Sequence, residues 1–179
     1  MLKIIVPAIE KFDDQKLEFI YTEAVELHLE HSLISVSKWE SKWCKSFLST
    51  KEKTVEETID YVRCMCVNKV NDDVFDNLTN DNISKIMEYI NAPMTATTFT
   101  DVKNNKPNRD VVTAELIYYW MIASNIPMEC QKWHLNRLLT LVRVCDIKNS
   151  PPKKMSRQEI MSRNAALNAA RRKQLNTKG

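Results

Sequence analysis

Glycine is all but absent: the 179-residue chain has one, and it is the last residue, Gly179. Loops that cradle phosphates in Walker-type and dinucleotide-binding proteins need several glycines, because backbone amides approach the ligand closely and often at positive φ. The lack argues against nucleotide chemistry of those kinds. It also disfavours tight primed hairpins and glycine-capped helices, and favours helices joined by Asn, Asp and Pro turns. Long apolar runs are missing too. The longest stretches, such as Leu116–Ala123, fall far short of the roughly 20 residues that cross a bilayer. Residues 1–9 lack the apolar core and cleavage site of a signal peptide. The expectation is a protein made and kept in a cytoplasm, without a membrane partner. Five cysteines, Cys44, Cys64, Cys66, Cys130 and Cys145, are an odd number in a chain without a secretion signal. A disulfide framework is therefore not expected, and they read as thiols in apolar surroundings.

Apolar residues make up 44% of the chain, and a domain of this length buries roughly 70% of its unfolded surface. The formal charge of +3 conceals an asymmetry. Residues 1–150 hold 18 basic and 22 acidic side chains, for −4, whereas residues 151–179 hold eight basic side chains against Glu159, for +7. Pro151 and Pro152 mark the boundary, since proline lacks an amide donor and disfavours helix in the residue before it. The reading is a weakly acidic globular domain, residues 1–150, followed by a basic, diproline-tethered tail, residues 151–179.

Within residues 1–30 the apolar alternation Leu2, Ile4, Val6, then Leu17, Phe19, Tyr21, then Val25, Leu27, Leu29 predicts two or three short antiparallel strands. From Ser37 the period becomes helical. Ser37 and Glu40 match a capping box, with Trp39, Trp43 and Phe47 following at intervals of four. Thr54 and Glu57 form a second box that opens a helix facing Val55, Ile59, Val62 and Cys66 inward. Asn82–Asn91 carries the stripe Ile83, Ile86, Met87, Ile90. Residues 92–110 read as a long loop. Asp110 then caps a helix through Ala123 that is apolar nearly all round and belongs in the centre of the core. Pro127 starts a further helix, Met128–Val144, expected to pair antiparallel with it. Ser156 and Glu159 open an alanine-rich tail helix to Leu175. The fold class is mainly α, with a small N-terminal antiparallel β element and a C-terminal basic helical tail.

Candidate chemistry is sparse. Cys64, Cys66, Cys130 and His134 are the residue types of a closed zinc site, but Cys-x-Cys is not a zinc-knuckle spacing and on a helix the two thiols diverge. No metal and no cofactor are expected. The three histidines, His28, His31 and His134, have no neighbouring nucleophile and orienting group in sequence, and acid pairs such as Glu56–Glu57 and Asp72–Asp73 suit helix N-termini. The protein reads as a non-enzyme. Trp39 and Trp43 share a helix face, either as a partner-binding surface or as cover for the small sheet. The tail offers Arg163, Arg171, Arg172 and Lys173 to a partner, but residues 151–179 contain no Phe, Tyr or Trp for base stacking, so nucleic acid is disfavoured.

Several strings resemble a family of small proteins encoded by tailed bacteriophages and prophages, in the siphophage tail module. They are Glu30-His-Ser-Leu-Ile-Ser-Val-Ser-Lys-Trp-Glu-Ser-Lys-Trp43, Glu57-Thr-Ile-Asp-Tyr-Val-Arg-Cys-Met65, Met94-Thr-Ala-Thr-Thr-Phe99, Tyr118-Tyr-Trp-Met-Ile122, Glu129-Cys-Gln-Lys-Trp-His-Leu-Asn-Arg-Leu-Leu139 and Arg171-Arg-Lys-Gln-Leu-Asn-Thr-Lys-Gly179. The resemblance implies a tail assembly chaperone, working in the host bacterial cytoplasm, that keeps the tape measure protein soluble while tail tube subunits polymerise around it. Two alternatives stand beside it. One is a structural virion component such as a connector, neck or tail-completion protein, and the other a nucleic-acid-binding protein acting through the basic tail. A homo-oligomer is compatible with all three.

Overall fold

The computed structural model describes residues 1–13, 18–99, 111–150 and 157–176. It divides into two compact units, Met1–Ile147 and Lys148–Gly179. The protein is mainly helical with a small antiparallel β element at its N-terminus.

That element comprises β1 (Leu2–Val6), β2 (Ile9–Asp13), β3 (Glu18–Thr22) and β4 (Val25–Leu29). β1 pairs with β4 and β2 with β3. Leu2 faces Leu29, Val6 faces Val25 and Ile9 faces Thr22, so the register passes unshifted from one pair to the next. The strands form one long ribbon, interrupted where Pro7, which has no amide proton, cannot donate to the ladder. The alternation of β1 and β4 was legible in the sequence, with Ile4, Val6, Leu27 and Leu29 buried. β2 was not foreseen.

The helices are α1 (Leu33–Trp43), α2 (Val55–Met65), α3 (Asn80–Asn91), α4 (Ala114–Ala123), α5 (Leu135–Asn149) and α6 (Arg157–Leu175), with 3₁₀ turns at Asp72–Asn77 and Met128–Lys132. α1 starts earlier than the Ser37 box predicts. Ser32 is its N-cap: the Ser32 hydroxyl accepts from the Ser35 amide, and the Ser35 hydroxyl answers the Ser32 amide. The helix begins as soon as the chain leaves β4. Glu40 is left free for another task, accepting at 2.7 Å from the backbone amides of both Phe47 and Ala114. The Thr54–Glu57 box opens α2 as expected. In this glycine-poor chain the left-handed positions among the described residues fall to Cys44, Met94, Asn125 and Asn176, and Cys44 ends α1 there at a cost of about 1 kcal/mol.

α4 does not lie in the centre of the core. It buries one face, Ala114, Ile117 and Met121, while Tyr119 and Ile122 are exposed. Thr113 caps it; Asp110 lies outside the described residues. Its principal neighbour is α1 rather than α5. Nor is Met128–Val144 a single helix. Pro127 caps the 3₁₀ turn, and the chain is then pulled extended at Trp133–His134, where His134 bridges to Ser32 and the Leu135 amide donates to the His31 carbonyl at 2.7 Å. Of the expected loop at 92–110, residues 92–99 carry no helix or strand, and 100–110 lie outside the described residues, as does Ser156.

The splice made by Glu40 gives the first prediction. Glu40→Ala strands two buried backbone amides, each worth about 1–3 kcal/mol. Urea unfolding should show a loss of about 3 kcal/mol with an unchanged m-value, and a loss below about 0.5 kcal/mol would contradict the assignment.

Candidate functional site

The polar centre of the first unit lies where β4 runs into α1. His31 Nδ1 is hydrogen-bonded to the Tyr61 hydroxyl at 2.5 Å, and its ring meets that of His134 edge-on at 5.0 Å between centroids. His134 Nε2 lies 3.0 Å from the Tyr89 carbonyl, and the Asn136 amide donates to His134 Nδ1. Those two contacts define the neutral tautomer with its proton on Nε2. Burial, reinforced by repulsion from His134, pushes His31 down to about 3. Burial also lowers His134, against the opposing pull of its bond to Tyr89 and of Glu30. Burial raises Tyr61 well above the usual phenol range. Both histidines are held neutral and hydrogen-bonded into the core, where they join elements together.

Beside this centre is a cavity of about 570 Å³. α3 supplies one wall with Ile83, Ile86, Met87 and Ile90; Phe47, Leu48 and Tyr61 face it, His31 also lines it, and Lys51, Glu52 and Lys53 complete its polar edge. Sequence reasoning identified the α3 stripe but not the cavity that it lines. Nothing in sequence spacing places the 51–53 segment opposite it. The half-buried Lys53 ammonium donates to the Thr50 carbonyl at 2.8 Å and lies 4.2 Å from the centroid of Phe47. Burial lowers its pKa, while Glu57 opposes the shift.

The candidate partner residues divide. Trp39 is fully buried, and its indole N–H donates to the Glu57 carbonyl at 2.8 Å. It is a cross-link between α1 and α2, which corrects its reading as a partner contact: the helix rotation set by the Ser32 cap turns it inward. Trp43 is half-buried at the edge of the same face. Its indole N–H donates to Asp60 Oδ2, Lys42 Nζ reaches Asp60 Oδ1 at 2.5 Å, and Lys42 and Lys45 flank the ring. Lys45 also pairs with the buried Glu57 carboxylate, which this contact and the Thr54 amide hold below the usual range. In the second unit every described residue of α6 is exposed, including Arg163, Arg171, Arg172 and Lys173. Burial raises the Cys64 and Cys66 thiols, which weakens them as nucleophiles and ligands. Among the described residues no group of three or more His, Cys, Asp or Glu is placed to hold a metal ion. None of the described helices is long and apolar enough to cross a membrane.

Sequence reasoning also missed the outer half of the ribbon as an exposed surface, with Phe19 57% and Tyr21 71% accessible. The Tyr21 hydroxyl donates to Glu10 across the strands at 2.7 Å. The alternation signal was present, but it does not say how far the body extends beneath it. Comparison with family models, curated proteins and solved structures finds no match to this chain.

Two predictions follow from the buried centre. Trp39→Ala removes a large core side chain and should cost about 3–5 kcal/mol, whereas Trp43→Ala should cost markedly less; equal losses on urea unfolding would refute the division. The depressed His31 pKa makes stability pH-dependent. The folded value of about 3 lies below the unfolded value of 6.5, so the unfolded chain takes up the proton first and stability falls as pH drops below about 6.5. Between pH 6.5 and 5 the loss should be about 2 kcal/mol, ahead of most carboxylate titration. His31→Gln should flatten that slope, and a wild-type melting temperature constant across this window would disprove it.

Proposed function

We propose that the protein is a non-enzymatic assembly chaperone of tailed bacteriophages, which holds the tape measure protein soluble in the host cytoplasm while tail tube subunits polymerise around it. The observation that carries this reading is the exposed outer ribbon. With the register unshifted across Pro7, strand alternation places Phe19 and Tyr21 on the same side as Val25, Leu27 and Leu29. That side is buried at Leu27 and Leu29 and exposed at Phe19 and Tyr21. An apolar face that continues from the core into solvent suits a protein partner. A tape measure protein, a long helical chain unable to bury its own apolar stripe, has the complementary chemistry.

The polar interior supports the same reading. His31, His134, Glu40, Glu57 and Asp60 all bond to neighbouring backbone or side chains within the fold, which leaves them structural work instead of substrate chemistry. The basic exposed helix α6, with Arg163, Arg171, Arg172 and Lys173, supplies a second contact suited to an acidic surface of the growing tube. The sequence resemblance to phage tail-module proteins names the partners.

Co-expression with the tape measure protein of the same phage tests the proposal. The wild-type chain should raise the soluble tape measure fraction and co-purify with it. The double variant Phe19→Ser, Tyr21→Ser should capture it at least about tenfold more weakly, roughly 1.4 kcal/mol, with an unchanged melting temperature. Equal capture by the variant would remove the ribbon from the mechanism. Mass spectrometry should find the protein abundant in infected lysate and absent from purified virions; a fixed copy number in virions would make it a structural component instead.

A further inference from the structure

The cavity beside His31 lies on other residues than the outer ribbon and has a chemistry of its own. Its volume of about 570 Å³ falls within the roughly 300–1,000 Å³ typical of small-molecule sites. Its α3 wall is aliphatic, and Phe47 and Tyr61 form an aromatic wall stacked ring on ring at 4.0 Å. His31, which burial holds neutral, also lines the cavity, with its Nδ1 bonded to the Tyr61 hydroxyl. Among the described residues that line it, charge comes from Lys51, Glu52 and Lys53, which together carry a single net positive charge.

Lys53 decides the polarity of the occupant. Among the described residues its one hydrogen bond goes to the Thr50 carbonyl, so two of the three ammonium protons remain for a ligand. Its charge is partly desolvated against Phe47, where an opposing carboxylate gains more than it would in water. Glu57, whose charge opposes the effect of burial on Lys53, makes its salt bridge to Lys45. A dianionic phosphate would find one half-buried cation and the opposing Glu52. A monoanion matches the charge that is present.

We infer that this cavity binds a small monocarboxylate with an extended apolar body, its chain lying between the α3 stripe and Phe47–Tyr61 and its carboxylate meeting Lys53. The site is independent of the tape measure reading, so each can fail without the other.

The probe is decanoate, titrated below its micellar concentration into the full-length protein, with decanol as the uncharged comparison. Calorimetry should show saturable one-to-one binding of decanoate, and at least about tenfold weaker binding of decanol. In NMR spectra the alkyl protons of decanoate should show NOEs to the methyl groups of Ile86, Met87 and Ile90. Lys53→Met should weaken decanoate at least about tenfold while leaving decanol affinity unchanged, and Met87→Trp should block both by filling the cavity. The NMR contacts need no variant, so a misfolded substitution does not shelter the proposal. Absence of saturable binding, equal affinity for decanoate and decanol, contacts elsewhere on the protein, or a Lys53→Met variant that binds decanoate normally would each overturn it.

Discussion

The first unit depends on the short segment that leads from β4 into α1, because His28, Glu30 and His31 tie the ribbon to α2, α3 and α5. The His28 carbonyl accepts from the Val67 amide, and the Glu30 amide donates to the Met65 carbonyl, which fixes the end of α2. The Glu30 carboxylate takes the Tyr89 hydroxyl of α3 and the N-terminal ammonium. His31 gives its carbonyl to Leu135 at the start of α5 and its side chain to Tyr61 in the middle of α2. Buried backbone groups must be paired, so this short segment sets where three helices begin or end. A charged imidazole at its centre would face burial and a second histidine, and for that reason neutrality of His31 is a condition of the fold.

From that junction the core continues as a series of ring contacts. His31 lies edge-on to Tyr61, Tyr61 stacks on Phe47, and Phe47 meets Trp39 edge-on at 5.2 Å. Such arrangements suit the ring quadrupoles and add to the apolar burial. Among the described residues three buried acids join α1 and the chain after it to other helices. Glu40 holds the chain after α1 to the start of α4, Glu57 caps α2 and pairs with Lys45, and Asp60 joins Lys42 to Trp43. Each carboxylate meets several donors, the arrangement that makes a buried charge tolerable.

What the sequence disclosed was whatever depends on neighbours a few residues apart. The Thr54 box, the apolar stripe of α3 and the alternation of β1 and β4 are local patterns, and the structure contains them. The start of α1 at Leu33, the break at Trp133–His134 and the inward turn of Trp39 depend on bonds between segments far apart in the chain, such as Leu135 to His31. No window of residues contains those. The all-apolar appearance of α4 misled for a related reason: composition counts side chains, but only one face found a neighbour. The cavity was hidden because the 51–53 segment and α3 face each other only after the fold has formed.

The placement of polar and apolar groups sets a hydrogen-bonded interior against an apolar surface. Catalytic sites concentrate titratable groups with perturbed pKa values in a cleft, free to exchange protons. Here the strongly perturbed groups are His31 and Tyr61, bonded to each other, and Tyr89, whose hydroxyl donates to Glu30; all three join elements of the fold. Accessible large apolar groups are instead found at Phe19, Tyr21, Tyr119 and Ile122. The interior is stabilised by paired polar groups, and the surface carries apolar ones. His31 and Tyr61 also line the cavity, so an occupant touches the same pair that fixes α2 to the ribbon. Its binding free energy then adds to the stability of that junction through linkage, which makes the stability of the fold itself a readout of whether the cavity is filled.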